Sequence, residues 1–150
     1  MYNLILLNHF YGYPDLIDKT SNDIRYAQLL RLLDRFDSKN TIFFSSNDWR
    51  NDKRLGSIRK IALAEDFTWI DYTDEETIEN ILNTYEKLND SIHKKISPHN
   101  TNVIIGGTNT AGCLLRNTNV AAINWINLGF DVQICLSMCA DYQLDGINSV

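Results

Sequence analysis

Five short apolar runs, separated by segments of helical periodicity, constrain the fold more than any other feature of this sequence. Tyr2–Leu7 (YNLILL), Thr41–Phe44 (TIFF), Phe67–Tyr72 (FTWIDY), Asn102–Ile105 and Asp131–Leu136 (DVQICL) are each too short for a helix. Near-continuous hydrophobicity marks a strand buried on both faces, as in a parallel sheet. Thr20, Ser21 and Asn22 offer N-caps for a helix running to about Phe36, with Ile24, Ala27, Leu29, Leu30, Leu32 and Leu33 on its apolar face. A short helix is expected from Leu55 to Ala64. Thr73-Asp74-Glu75-Glu76 reads as a capping box that opens a third helix. That helix carries Ile78, Ile81, Leu82, Tyr85, Leu88 and Ile92 and should stop before Pro98. A fourth is expected from Leu114 to Leu128, closed by Gly129, and a last turn of helix within Gln143–Val150. Strand and helix in alternation imply a three-layer α/β/α, doubly wound parallel sheet of about five strands, Rossmann-like, in a single domain over residues 1–150.

Composition narrows the function classes. The chain is 44% hydrophobic and 22% charged, with a formal net charge of −5, and its basic residues are scattered, which argues against a nucleic-acid partner. The densest basic stretch, Arg50–Lys60, reads as a solvated loop and helix face. No apolar run approaches the ~20 residues of a membrane span, and Met1-Tyr2-Asn3-Leu4 lacks the features of a signal peptide. Neither a membrane partner nor a secreted location is expected. Three cysteines (Cys113, Cys135 and Cys139) form no disulfide framework, so a reducing, cytoplasmic compartment fits. Cys135 and Cys139 read as small buried apolar side chains. With no CxxC or HxxxH spacing, neither a metal site nor a cofactor is expected.

In such a sheet ligands bind beyond the carboxyl ends of the strands. The polar residues expected there are Asn8 and His9, with Phe10 beside them, then Asn47 and Asp48 with Trp49, then Asp71, the turn Gly106–Cys113, and finally Ser137 and Asp141. Cys113 follows the strand and the Gly106-Gly107 pair and opens the next helix. A thiol at a helix start meets the positive end of the dipole and unpaired N–H groups, which favour the thiolate. Cysteine chemistry also needs a base, and His9, Asp48 or Asp71 could supply one. The bland alternatives are an inert cysteine, a loop histidine, an aspartate cap at Asp48, and core or cleft-wall tryptophans at Trp49, Trp69 and Trp125.

Around these residues the chain resembles the isochorismatase-like cysteine hydrolases, the superfamily that includes nicotinamidases. Gly107-Thr108-Asn109-Thr110-Ala111-Gly112-Cys113-Leu114 fits the family's Gly-x-x-Thr-x-x-Cys-hydrophobic motif, and Gly129-Phe130-Asp131-Val132 fits the Gly-aromatic-x-Val that follows the next helix. Asn47-Asp48-Trp49-Arg50 looks like the family's Asp-Trp-His segment. The resemblance implies that Cys113 is the nucleophile and that the N–H groups of Gly112 and Cys113 form an oxyanion hole. It also implies a cis peptide between Thr108 and Asn109 shaping the turn that continues through Thr110. Asp48, Trp49 and Phe10 would line the substrate site. The family's catalytic aspartate falls on Asn8, whose amide cannot act as a base. Its catalytic lysine falls near Asp71, and the histidine after Asp48 is replaced by Arg50.

Two functions follow. One is a cysteine-dependent hydrolase of a small amide, imide or ester, with Cys113 attacking and Asn8, His9 and Asp71 around it. The other is a catalytically degenerate relative that binds a small ligand or serves as an interaction subunit. A homo-oligomer is expected in either case, with Tyr11, Tyr13 and Trp49 as candidate wall or interface aromatics.

Overall fold

A computed structural model describes residues 1–10, 19–46, 67–88, 95–108, 115–116, 118–141, 143–144 and 147–148. In chain order its elements are β1 (Tyr2–Asn8), α1 (Lys19–Arg35), β2 (Thr41–Ser46), β3 (Thr68–Tyr72), α2 (Ile78–Leu88), β4 (Thr101–Thr108), α3 (Ala122–Asn127), β5 (Asp131–Ala140), β6 (Gln143–Leu144) and β7 (Ile147–Asn148). The first five strands form one all-parallel sheet in the order β3-β2-β1-β4-β5. The chain therefore winds outward from β1 through β2 to β3, then returns to the other side of β1 for β4 and β5. The winding direction reverses between β1 and β4, and their carboxyl ends flank the crevice where such sheets hold ligands.

The three layers follow from strand alternation. Leu4, Leu6, Ile42, Phe44, Ile70, Val103 and Ile105 face one side and pack with Ile78, Ile81 and Tyr85 of α2 and Ala122 and Trp125 of α3. Their neighbours Ile5, Leu7, Phe43 and Ile104 face the other side and pack with Tyr26, Leu29 and Leu32 of α1. Each fully buried aliphatic side chain contributes about 1.5–3 kcal/mol of transfer free energy. The two cores together fix the strand registers, since a one-residue slip would exchange their contents.

Several sequence expectations need correction. Helix α1 already includes Lys19, so Thr20, Ser21 and Asn22 lie inside it and do not cap it. Its buried stripe is Asn22, Arg25, Tyr26, Leu29 and Leu32, whereas Ile24 and Ala27 are exposed. The apolar side chains mislead here because a charged residue, Arg25, occupies a core position. Before α2, Glu76 does reach back to the Thr73 N–H at 2.7 Å, as in a capping box. The helix nevertheless begins only at Ile78, and its cap is Thr77, whose hydroxyl accepts the Asn80 N–H at 3.2 Å. Leu88, placed on the apolar face, is exposed. The helix around Leu55–Ala64 and the residue Ile92 lie outside the described residues.

Strand β4 runs on through Gly106, Gly107 and Thr108, three residues that the sequence assigns to the following turn. The expected Leu114–Leu128 helix is interrupted: residues 115–116 are helical, but bends and turns at residues 118–121 separate them from the six helical residues of α3. Its end matches expectation. Gly129 has φ +94°, its N–H donates to Ile126 O, and the Phe130 N–H donates to Trp125 O at 3.2 Å. That pattern, with the Trp125 and Phe130 rings 5.2 Å apart, is a Schellman stop. Strand β5 passes Leu136 and reaches Ala140, because the register against β4 shifts between Ile105 and Gly107. That irregularity leaves Leu136 exposed. Cys135 and Cys139 are both free thiols in this strand and half-buried, so they are not fully core residues. The last segment forms a small antiparallel pair, β6 with β7, where a turn of helix was expected. Among the described residues no helix is long and apolar enough to cross a membrane.

Candidate functional site

The site is built where β1, β2, β3 and β4 end. Asn8 pairs in register with Gly107, and Ser46 with Tyr72. Gly107 has φ +138°, and a Cβ there would overlap the Asn8 carbonyl oxygen. Only glycine permits this close approach of the two strand ends.

Asn8 is 1% exposed, and both ends of its amide are engaged. The Tyr72 hydroxyl donates to Asn8 Oδ1 at 2.9 Å, and Asn8 Nδ2 donates to the Thr108 carbonyl at 3.3 Å. One neutral side chain thus ties β1 to β3 on one side and to β4 on the other. It acts as a structural crosslink and has no acid–base capacity.

His9 follows in the left-handed region, with φ +46°. For a non-glycine residue this conformation needs support from its surroundings. The His9 N–H donates to Ser46 Oγ at 2.8 Å, and Thr108 Oγ1 donates to the His9 carbonyl at 3.2 Å. These bonds turn the imidazole toward the loop after β3, where Nε2 lies 2.9 Å from Asp74 Oδ1. The histidine side chain is 24% exposed and the carboxylate 60%, so the pair is open to solvent on one side. An imidazole held by a carboxylate is the base-and-orienter half of a nucleophilic triad.

Asp71 lies apart from this group. Ile70 and Tyr72 face the α2 and α3 layer, so Asp71 between them points to the α1 side of the sheet, where Ser45 Oγ donates to its Oδ1 at 3.4 Å. Asn8, His9 and Thr108 are therefore brought together, whereas Asp71 and the Phe10 ring both lie on the α1 side, opposite Asn8. Phe10 is fully buried, packed with Tyr26 at a ring separation of 5.9 Å in the α1 core. Cys113, Gly112, Asn109, Thr110, Asp48 and Trp49, with Tyr11 and Tyr13, lie outside the described residues.

Sequence reading missed Asp74, Ser46, Tyr72 and Arg25. Asp74 reads as part of a capping pattern, although its place just after the third apolar run puts it at the carboxyl edge. Ser46 follows the expected end of its strand. Arg25 gave the clearest missed signal, an arginine at helical spacing with Asn22, Leu29 and Leu32. Comparison with protein-family models, curated proteins and solved structures finds no match to the chain.

Proposed function

We propose that this protein is a cysteine-dependent hydrolase of a small amide, imide or ester, with Cys113 as nucleophile and His9, oriented by Asp74, as its base. The His9–Asp74 contact of 2.9 Å at the carboxyl edge of the sheet is the observation that carries this reading. Its support from sequence is the Gly107–Leu114 motif, which continues directly from β4, the strand bonded to β1. In the reaction the Cys113 thiol gives its proton to His9 and its sulfur adds to the substrate carbonyl. The tetrahedral oxyanion would rest on backbone N–H groups of the turn ending at Cys113. The leaving amine or alcohol takes the proton from His9, and water then cleaves the thioester with His9 again as base. Asp74 keeps the imidazole in place and stabilises its charged form, which replaces the aspartate that Asn8 cannot supply. The protein is proposed to act as a cytoplasmic homo-oligomer of the isochorismatase-like type.

The test is hydrolysis of a panel of small amides and activated esters, with mass spectrometry of the intact protein to catch an acylated Cys113. Turnover lost in Cys113→Ala and reduced on the order of 10²–10⁴-fold in His9→Ala supports the reading. No acyl adduct and no turnover across the panel would overturn it.

The Asn8 amide favours a second reading. A buried crosslink in place of the family's catalytic carboxylate suits a retired enzyme that binds a small ligand or a protein partner at the same edge. Ligand-induced stabilisation without turnover would select it.

A further inference from the structure

Arg25 is 1% exposed, and burying a guanidinium is costly unless its donors are met. Nε donates to the Met138 carbonyl at 3.1 Å, Nη1 to Asn22 Oδ1 at 2.7 Å, and Nη2 to the Phe10 carbonyl. Its Cζ also lies 4.6 Å from the centre of the Phe10 ring. One side chain on α1 therefore grips the residue after His9 by both its carbonyl and its ring, and anchors that grip to β5. The planar fork is what allows neighbouring nitrogens to reach acceptors on different segments. Meanwhile His9 is held on its own N–H by Ser46 and on its carbonyl by Thr108.

From this arrangement we infer that Arg25 is a positioning residue that fixes the left-handed His9 turn and, through it, the distance from the imidazole to Asp74. The inference rests on the reading of His9 as the base and deepens it by naming what sets the geometry of that base. Without the fork, no single group can hold the Phe10 carbonyl, Asn22 and β5 together, the turn at φ +46° loses its downstream anchor to β5, and His9 relaxes away from Asp74.

The test uses the full chain with Arg25→Lys, which keeps the charge and much of the volume but loses the planar fork, and with Phe10→Leu, which removes the ring and keeps the carbonyl. Folding is checked by circular dichroism and by the Trp125 indole resonance. The deciding readout is the His9 ring resonance set in side-chain NMR, which reports the Asp74 contact whether or not Cys113 is reactive. Arg25→Lys should displace the His9 ring signals toward those of Asp74→Asn with the Trp125 resonance unchanged, and Phe10→Leu should do so more weakly. If Cys113 is active, its His9-dependent alkylation should fall by roughly 10²-fold in Arg25→Lys, the loss typical of a misplaced catalytic group. His9 signals identical to wild type in either folded variant overturn the inference. If Arg25→Lys does not fold, Phe10→Leu decides alone. An inert wild-type Cys113 with displaced His9 signals would overturn the hydrolase reading while leaving the positioning role intact.

Discussion

Asn8 shows how one amide can hold an edge of a sheet. Its nitrogen must face the Thr108 carbonyl and its oxygen the Tyr72 hydroxyl, so the orientation of the group is fixed by its partners. Replacing it by a carboxylate sets an oxygen against a carbonyl oxygen in a buried site. Asn8→Asp is therefore expected to destabilise the protein by about 1–3 kcal/mol at pH 7, measured by urea unfolding. The Tyr72 hydroxyl still donates to one oxygen, but burial and the repulsion between the other oxygen and the Thr108 carbonyl raise the folded-state pKa of the introduced acid above its unfolded value. The loss should thus shrink as pH falls through that raised pKa and the neutral acid forms. Gly107 belongs to the same scale. Gly107→Ala forces a Cβ into the Asn8 carbonyl, so the β1 and β4 ends must part. Its stability loss should exceed that of a change at Gly129, where a Cβ would meet nothing nearer than Pro98 at 3.7 Å.

At the scale of elements, helix starts separate local pattern from real hydrogen bonding. Thr77 accepts an N–H of the first turn of α2, whereas at Thr73 the bonding group is the backbone N–H. Thr77→Ala should cost about 1 kcal/mol and Thr73→Ala close to nothing by thermal unfolding, because only Thr77 contributes its side chain as a cap. An equal loss at both would mean that the helix starts further upstream. The sequence made the strands legible because continuous apolar runs reveal double burial, and β1, β2 and β3 match their expected spans closely. It misled at Gly106–Thr108, where two glycines suggested a turn but serve a close strand approach. It also misled along α1, whose buried stripe contains Arg25 and Asn22, residues that hydrophobic periodicity discards. Of the site, Asn8 and His9 were legible from their place after the first run. Asp74 was not, since a contact between loops distant in sequence leaves no local trace.

For the whole molecule, the two cores on either side of the sheet dominate stability, and among the described residues of the α2 side Tyr85 has a clear pH signature. Tyr85 is 3% exposed, and burial pushes its phenol above the usual value, with the nearby Tyr2 adding to the rise. The folded state therefore favours the neutral phenol. The stability that this contributes is full below the unfolded pKa of about 10 and is lost as pH rises through the higher folded value. Alkaline unfolding followed by circular dichroism should accordingly occur at higher pH in Tyr85→Phe than in wild type, once the packing loss seen at pH 7 is subtracted. At this scale too, the winding reversal between β1 and β4 sets His9 beside the strand that leads toward Cys113. The hydrolase reading stands or falls on the coupling between those two residues. The most direct measurement is the pH dependence of iodoacetamide alkylation at Cys113, read by mass spectrometry with Cys135 and Cys139 as internal controls. The account predicts an apparent Cys113 pKa well below the ordinary thiol value of about 8.5, and reactivity that falls in both His9→Ala and Asp74→Asn. Slow alkylation at an ordinary pKa, indifferent to both substitutions, would contradict it.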